Sequence, residues 1–122
     1  MTLRELLTKV SDEKSNSFTE AKLISFVNEV EAEVAEQLGE TDVPVYTDNH
    51  SDLDDVLLAP SPYDNLYVSY VKARIDFANE EYASYQLNQE QHYADFQSFV
   101  DWVVRESKAA NPLPVRRFRN AF

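Results

Sequence analysis

Residues with the types and spacing for chemistry fall in three places. The acidic run "DNHSDLDD" (48–55) invites a calcium loop. An EF-hand loop opening at Asp48 needs Gly at its sixth position and a bidentate Glu at its twelfth. This sequence has Leu53 and Ala59 there, so solvated loop acids are the better reading. A carboxylate di-metal site wants Glu-x-x-His on helices, in two copies. Around His92 the order is Gln89-Glu90-Gln91-His92, the wrong spacing, and the one other histidine is His50. Nucleophilic catalysis lacks its parts as well. There is no Cys, no glycine-flanked serine elbow and no glycine-rich phosphate loop. The sequence therefore points away from an enzyme, a metal centre and a bound cofactor.

The third place is Tyr67 to Leu87, "YVSYVKARIDFANEEYASYQL", where Tyr67, Tyr70, Phe77, Tyr82 and Tyr85 are threaded between charges. Base stacking on such rings needs a basic groove. The neighbours here are Asp76, Glu80 and Glu81 against Lys72 and Arg74, so core or interface is the stronger reading. Tyrosine suits an interface because its ring buries area while its hydroxyl finds a partner.

The elements that position these residues read as helices. One Gly and five Pro in 122 residues, with 43% apolar content, fit one all-α domain with a modest core. Thr2 and Glu5 form a capping-box pattern ahead of Leu3, Leu6, Leu7 and Val10, a first helix over 3–10. Ser17 and Glu20 repeat it before Leu23, Val27, Val30, Val34 and Leu38, a helix over 19–38 closed by Gly39. Residues 40–62 break the periodicity with Pro44, Pro60 and Pro62. In that loop "VPVY" reads as extended and "LDDVLL" as one helical turn.

From Tyr63 the helical phase returns. Val68, Val71, Ile75, Ala78, Tyr82 and Tyr85 share one face, with Tyr67, Tyr70 and Phe77 beside it. Ser69, Lys72, Asp76, Asn79, Glu80 and Gln86 fall opposite. Arg74 and Glu81 lie inside the wide apolar sector, so part of this face should meet another polar-aromatic surface: Tyr70, Arg74, Phe77 and Glu81 are expected to face either a partner, as a subunit interface, or a neighbouring helix. The phase carries across through Gln89 to Tyr93, Phe96, Phe99, Val100, Val103 and Val104. Two arrangements remain open: helices 63–87 and 89–108 folded into an antiparallel hairpin near Leu87–Gln89, or one helix from 63 to 108. Mutual burial of the apolar faces favours the hairpin.

The charge is lopsided. Residues 1–111 carry 22 acids and eight bases, a net −14, while the last eleven residues carry +3. An acidic body repels a phosphate backbone, which argues against general nucleic-acid binding. No run approaches the roughly 20 apolar residues of a membrane span, and the charged N-terminus lacks a signal-peptide pattern. Pro112 and Pro114 end the helical chain ahead of "VRRFRNAF", an extended basic arm over 112–122. Val115, Arg116, Arg117, Phe118, Arg119 and Phe122 there suit a partner, Arg for acidic groups and Phe as anchors.

The series "LAPSPYDNLYVSYVKARIDFANEEYASY" (58–85), with "TEAKLISFVNEVEAEVAEQLG" before it, resembles the small head-to-tail connector, or adaptor, proteins of tailed bacteriophages of Gram-positive hosts. The likeness covers about residues 17–108. It implies a non-enzymatic, mostly helical virion protein of the neck, assembled in the host bacterial cytoplasm and needing no cofactor. It further implies a twelve-fold homo-oligomeric ring below the portal protein that extends the DNA channel. DNA would pass without specific binding, and a later neck or tail component would build on the ring. Some relatives hold the portal with a C-terminal arm, which by position would be Val115–Phe122. The alternative from charge and size is an acidic regulatory protein, a DNA mimic on a host nucleic-acid enzyme.

Overall fold

The computed structural model describes residues 1–110, and the side chains through Lys108. The arm at Val115–Phe122 lies outside the described residues. Five helices follow in order: α1 (Leu3–Glu13), α2 (Glu20–Leu38), α3 (His50–Leu53), α4 (Asn65–Ala78) and α5 (Tyr82–Ala110). Among the described residues there is no strand, only one isolated antiparallel bridge between Thr2 and Val56. The fold is all-α, as the composition and periodicity require.

Helix α1 begins on the full capping box. The Thr2 hydroxyl accepts from the Glu5 amide and the Glu5 carboxylate accepts from the Thr2 amide, at 3.2 and 2.8 Å. At α2 the cap shifts. Thr19, not Ser17, accepts from the Lys22 amide at 3.2 Å, because its hydroxyl sits directly before the first helical turn. Gly39 closes α2 in the left-handed conformation at φ 74°, where a side chain would be strained.

The hairpin is present, but its turn lies eight residues earlier than the sequence pattern places it. Asn79, Glu80 and Glu81 separate α4 from α5, with Glu80 at φ 58°. The turn closes on the last carbonyls of α4. The amides of Asn79, Glu80 and Glu81 donate to Ile75, Phe77 and Asp76, at 3.0, 3.1 and 2.9 Å. Tyr82 and Tyr85 therefore belong to α5 and do not continue the α4 stripe. Helix α5 runs antiparallel to α4: Ser84 and Asn88 meet Asp76, His92 meets Leu66, Asp95 meets Ser69 and Asn65, and Arg105 meets Tyr63.

Three helices pack their apolar stripes on α4. Leu3, Leu6 and Val10 of α1, Ile24, Val27, Val30 and Val34 of α2, and Phe99 of α5 surround Leu66, Tyr67, Val71 and Ile75, all at most 2% exposed. Fully burying each such side chain contributes about 1.5–3 kcal/mol. Two residues assigned to the polar side of α4 are also buried, Ser69 and Asp76. Helix α5 covers that side, so α4 is buried nearly all round.

The 40–62 segment is strapped to the bundle despite its sparse secondary structure. Tyr46, Leu53, Leu57 and Ala59 are buried. Asn28 of α2 clamps the Tyr46 backbone from both sides, donating to its carbonyl at 3.0 Å and accepting from its amide at 2.9 Å. "VPVY" forms no strand pair. "LDDVLL" does not form a helical turn of its own: only Leu53 is helical, and Asp55 and Leu57 bond to the chain at Met1–Leu3. The Leu57 amide donates to the Met1 carbonyl and the Asp55 carbonyl accepts from the Leu3 amide, so this stretch is tied to the α1 entry instead.

Candidate functional site

The polar interior is built for holding structure. Glu31, fully buried on α2, accepts from the Tyr67 hydroxyl at 2.5 Å on Oε1, and from the Tyr46 hydroxyl at 2.7 Å and the Leu58 amide at 3.0 Å on Oε2. Tyr67 in turn accepts from the Ala59 amide at 2.8 Å. Burial and the adjoining Glu31 push both phenols well above the usual tyrosine range, so they donate and do not ionise. Sequence reading missed Glu31. Its signal was position: Leu23, Val27, Glu31 and Val34 keep the apolar spacing of α2.

Asp76 is a second buried knot. Its Oδ1 lies 2.5 Å from the Lys14 ammonium, and its Oδ2 accepts from Ser84 at 2.8 Å and Asn88 at 2.6 Å. Burial raises the Asp76 carboxyl, but Lys14, Asn88 and Ser84 outweigh it and hold it below the ordinary range. Its bond to Asp76, against some burial, raises Lys14. His92 Nδ1 lies 2.9 Å from the Leu66 carbonyl, which can only accept, so that nitrogen carries the proton. Burial lowers the His92 pKa and keeps the ring neutral.

Two acids of the 48–55 run make structural bonds. Asp52 accepts from the Thr47 amide and hydroxyl, both at 2.7 Å, and Asp54 pairs with Arg4 at 3.3 Å. Among the described residues no group of three His, Cys, Asp or Glu could hold a metal ion, and no helix is long and apolar enough to cross a membrane. A shallow cleft of about 230 Å³ lies beside Tyr63, Asn65 and Asp95. Its one acid, Asp95, already accepts from Asn65, Ser69 and Gln91.

The surface offers more. Tyr82, Tyr85, Gln89, Tyr93, Phe96, Val100, Val103 and Val104 fall at steps of three and four along α5, within a sector of about 100°. His92 and Phe99, beside this sector, point into the bundle, while Tyr82 and Tyr93 are 58% and 62% exposed and Val104 46%. Phe77 caps the stripe at the turn, its ring 5.2 Å from Tyr85 and 6.2 Å from Tyr82. One flank of α5 is thus an apolar, aromatic strip, its Phe96 and Val103 partly packed on the core, with no helix among the described residues laid over Tyr82, Tyr93 and Val104.

The four residues marked as an interface divide among three settings. Tyr70 and Arg74 turn to α2, where the Tyr70 hydroxyl donates to Glu29 at 2.7 Å and Arg74 Nε lies 3.2 Å from the same oxygen. Arg74 also lies over the Phe26 ring at 5.3 Å. Phe77, half exposed, joins the α5 strip. Glu81 sits in the turn, 3.1 Å from Lys14.

A scan of protein-family models and searches of curated proteins and of solved structures find no match to this chain.

Proposed function

We propose that the chain is a structural subunit of a phage neck: a head-to-tail adaptor that forms a ring, twelve-fold by resemblance, under the portal protein. The ring extends the DNA channel, needs no cofactor and carries the next neck or tail component. The sequence resemblance over 58–85 suggests the class. The observation that supports it is the uncovered strip of Phe77, Tyr82, Tyr93 and Val104 along α5. Apolar strips of this kind mark interaction sites on small domains, and a contact repeated around a ring can be weak in each pair. The acidic body would let DNA pass without gripping it. In this reading the arm residues Val115, Arg116, Arg117, Phe118, Arg119 and Phe122 hold the portal.

Electron microscopy of the protein mixed with its cognate portal tests the proposal. An added ring of density at the portal's narrow end is expected, and loss of that ring on deleting 112–122. Bare portals at saturating protein would refute it. The high acid content also suits a DNA mimic, and capture of a host DNA-binding enzyme without portal affinity would favour that function.

A further inference from the structure

Helices α2 and α5 both run antiparallel to α4 and flank it on neighbouring sides. Glu29 of α2 bonds Tyr70, whose ring meets the His92 ring at 5.0 Å; His92 then meets Phe96 at 5.7 Å. Across this floor one side is acidic and the other apolar. Glu29, Glu33 and Glu36 recur at helical spacing on α2, and Tyr93, Phe96, Val100 and Val104 on α5. Glu29 is neutralised by Arg74. Glu33 and Glu36 are exposed, and no cation among the described residues pairs with them. Burial first, and then the fields of Glu36 and Glu29, raise the Glu33 carboxyl.

We infer that this two-sided surface receives the C-terminal segment Val115–Phe122 of a second copy of the chain. Two of the segment's three Arg and both of its Phe fall on the matching sides, with Arg116 on the side of the Phe residues. The segment carries the +3 that the −14 body lacks. In an extended chain alternate residues point to opposite sides. Arg117 and Arg119 then share one side, toward Glu33 and Glu36, while Phe118 and Phe122 share the other, toward α5. The two Phe positions would stand about 13 Å apart in such a chain. Phe96 and Val104 stand about 12 Å apart along α5. A second copy is favoured over the chain's own body because 111–122 holds no glycine for a tight reversal and has Pro112 and Pro114, which favour continued extension. Arm into neighbour is a heterologous contact, the kind that closes into rings. The arm thus joins free copies to one another before any portal competes for it.

The inference rests on the self-assembly in the proposed function, and its test uses the full-length chain without portal. Sedimentation velocity across a concentration series should show association that weakens with salt. Arg117→Glu with Arg119→Glu, and separately Glu33→Lys with Glu36→Lys, should each weaken it at least tenfold while leaving the helical circular dichroism unchanged. An equimolar mixture of the two variants should regain association, since each supplies the reversed partner of the other. A wild-type chain that stays monomeric, variants that associate like wild type, or a mixture that stays apart would each overturn the inference. Amide-exchange protection of 115–122 in a chain that stays monomeric at every concentration would assign the surface to the chain's own arm instead, and would also overturn it. The portal-ring experiment reads separately, so either reading can fail alone.

Discussion

Replacing Glu31 with alanine removes the acceptor on which the 40–62 segment converges. Three donors lose their partner together: the Tyr46 and Tyr67 hydroxyls and the Leu58 amide. Both rings are buried, at 6% and 0% exposure, so water cannot replace the carboxyl without opening the core. A buried donor left unsatisfied costs about 1–3 kcal/mol. Three donors and the cavity, less some relaxation, give a loss on the order of 4 kcal/mol. That is a large part of the 5–15 kcal/mol typical of a domain. Glu31→Gln keeps the volume but turns an amide donor toward donors, and should cost about 2 kcal/mol. Urea denaturation followed by circular dichroism measures both losses. Amide exchange adds position: Leu58 and Ala59, protected in the wild type, should exchange faster in Glu31→Gln than the amides of α4. A Glu31→Ala loss below about 1 kcal/mol, or unchanged Leu58 exchange, would refute the reasoning.

Other expectations follow from single contacts. His92 is held neutral, so its contribution is full above its unfolded pKa of about 6.5 and is lost as pH falls below it. His92→Asn, which can still donate to Leu66, should flatten the stability slope just below about pH 6.5; an unchanged slope would place the titration elsewhere. Asp76 has a depressed pKa, so its contribution is present above about pH 4 and fades as pH falls through the lower folded value. Asp76→Ala leaves Ser84 and Asn88 without their acceptor and Lys14 with Glu81 alone, and should cost about 3 kcal/mol at neutral pH by urea titration. Tyr82→Ser with Tyr93→Ser should shift stability by no more than about 0.5 kcal/mol per site, yet reduce portal-ring occupancy by microscopy; full occupancy would remove the strip from the interface. Glu80→Gly should stabilise by up to roughly 1 kcal/mol by relieving the left-handed backbone. A loss on thermal melting would mean that the Glu80 side chain itself holds the turn.

The helices were legible in the sequence because their apolar stripes and caps are local. Thr2, Glu5 and Gly39 act as their types suggest. The hairpin turn was not legible at its true place, since neither Gly nor Pro marks 79–81 and the apolar phase runs on through Tyr82 and Tyr85. What stops α4 is a left-handed Glu80 together with amides closing on Ile75, Asp76 and Phe77. Ser69 and Asp76 looked like a solvated face because their cover, α5, arrives only through tertiary folding. Glu31 was hidden by company: one acid among many on an acid-rich helix. Of the four residues marked in the α4 sector, Phe77 joins the open α5 strip, whereas Tyr70 and Arg74 meet Glu29. A carboxylate partner on a helix forty residues away is not something local periodicity can report.

The clasp on α1 sets an order for synthesis. Leu3 bonds to Asp55, Thr2 bridges Val56, and Lys14 reaches Asp76, so the first helix is fastened by residues made much later. At 5–20 residues per second, Asp76 follows Lys14 by about 3–12 s. During that interval Leu3, Leu6, Leu7 and Val10 have no final partner on the later half of the chain. Helix α1 can be fastened only once the later half of the chain has been made.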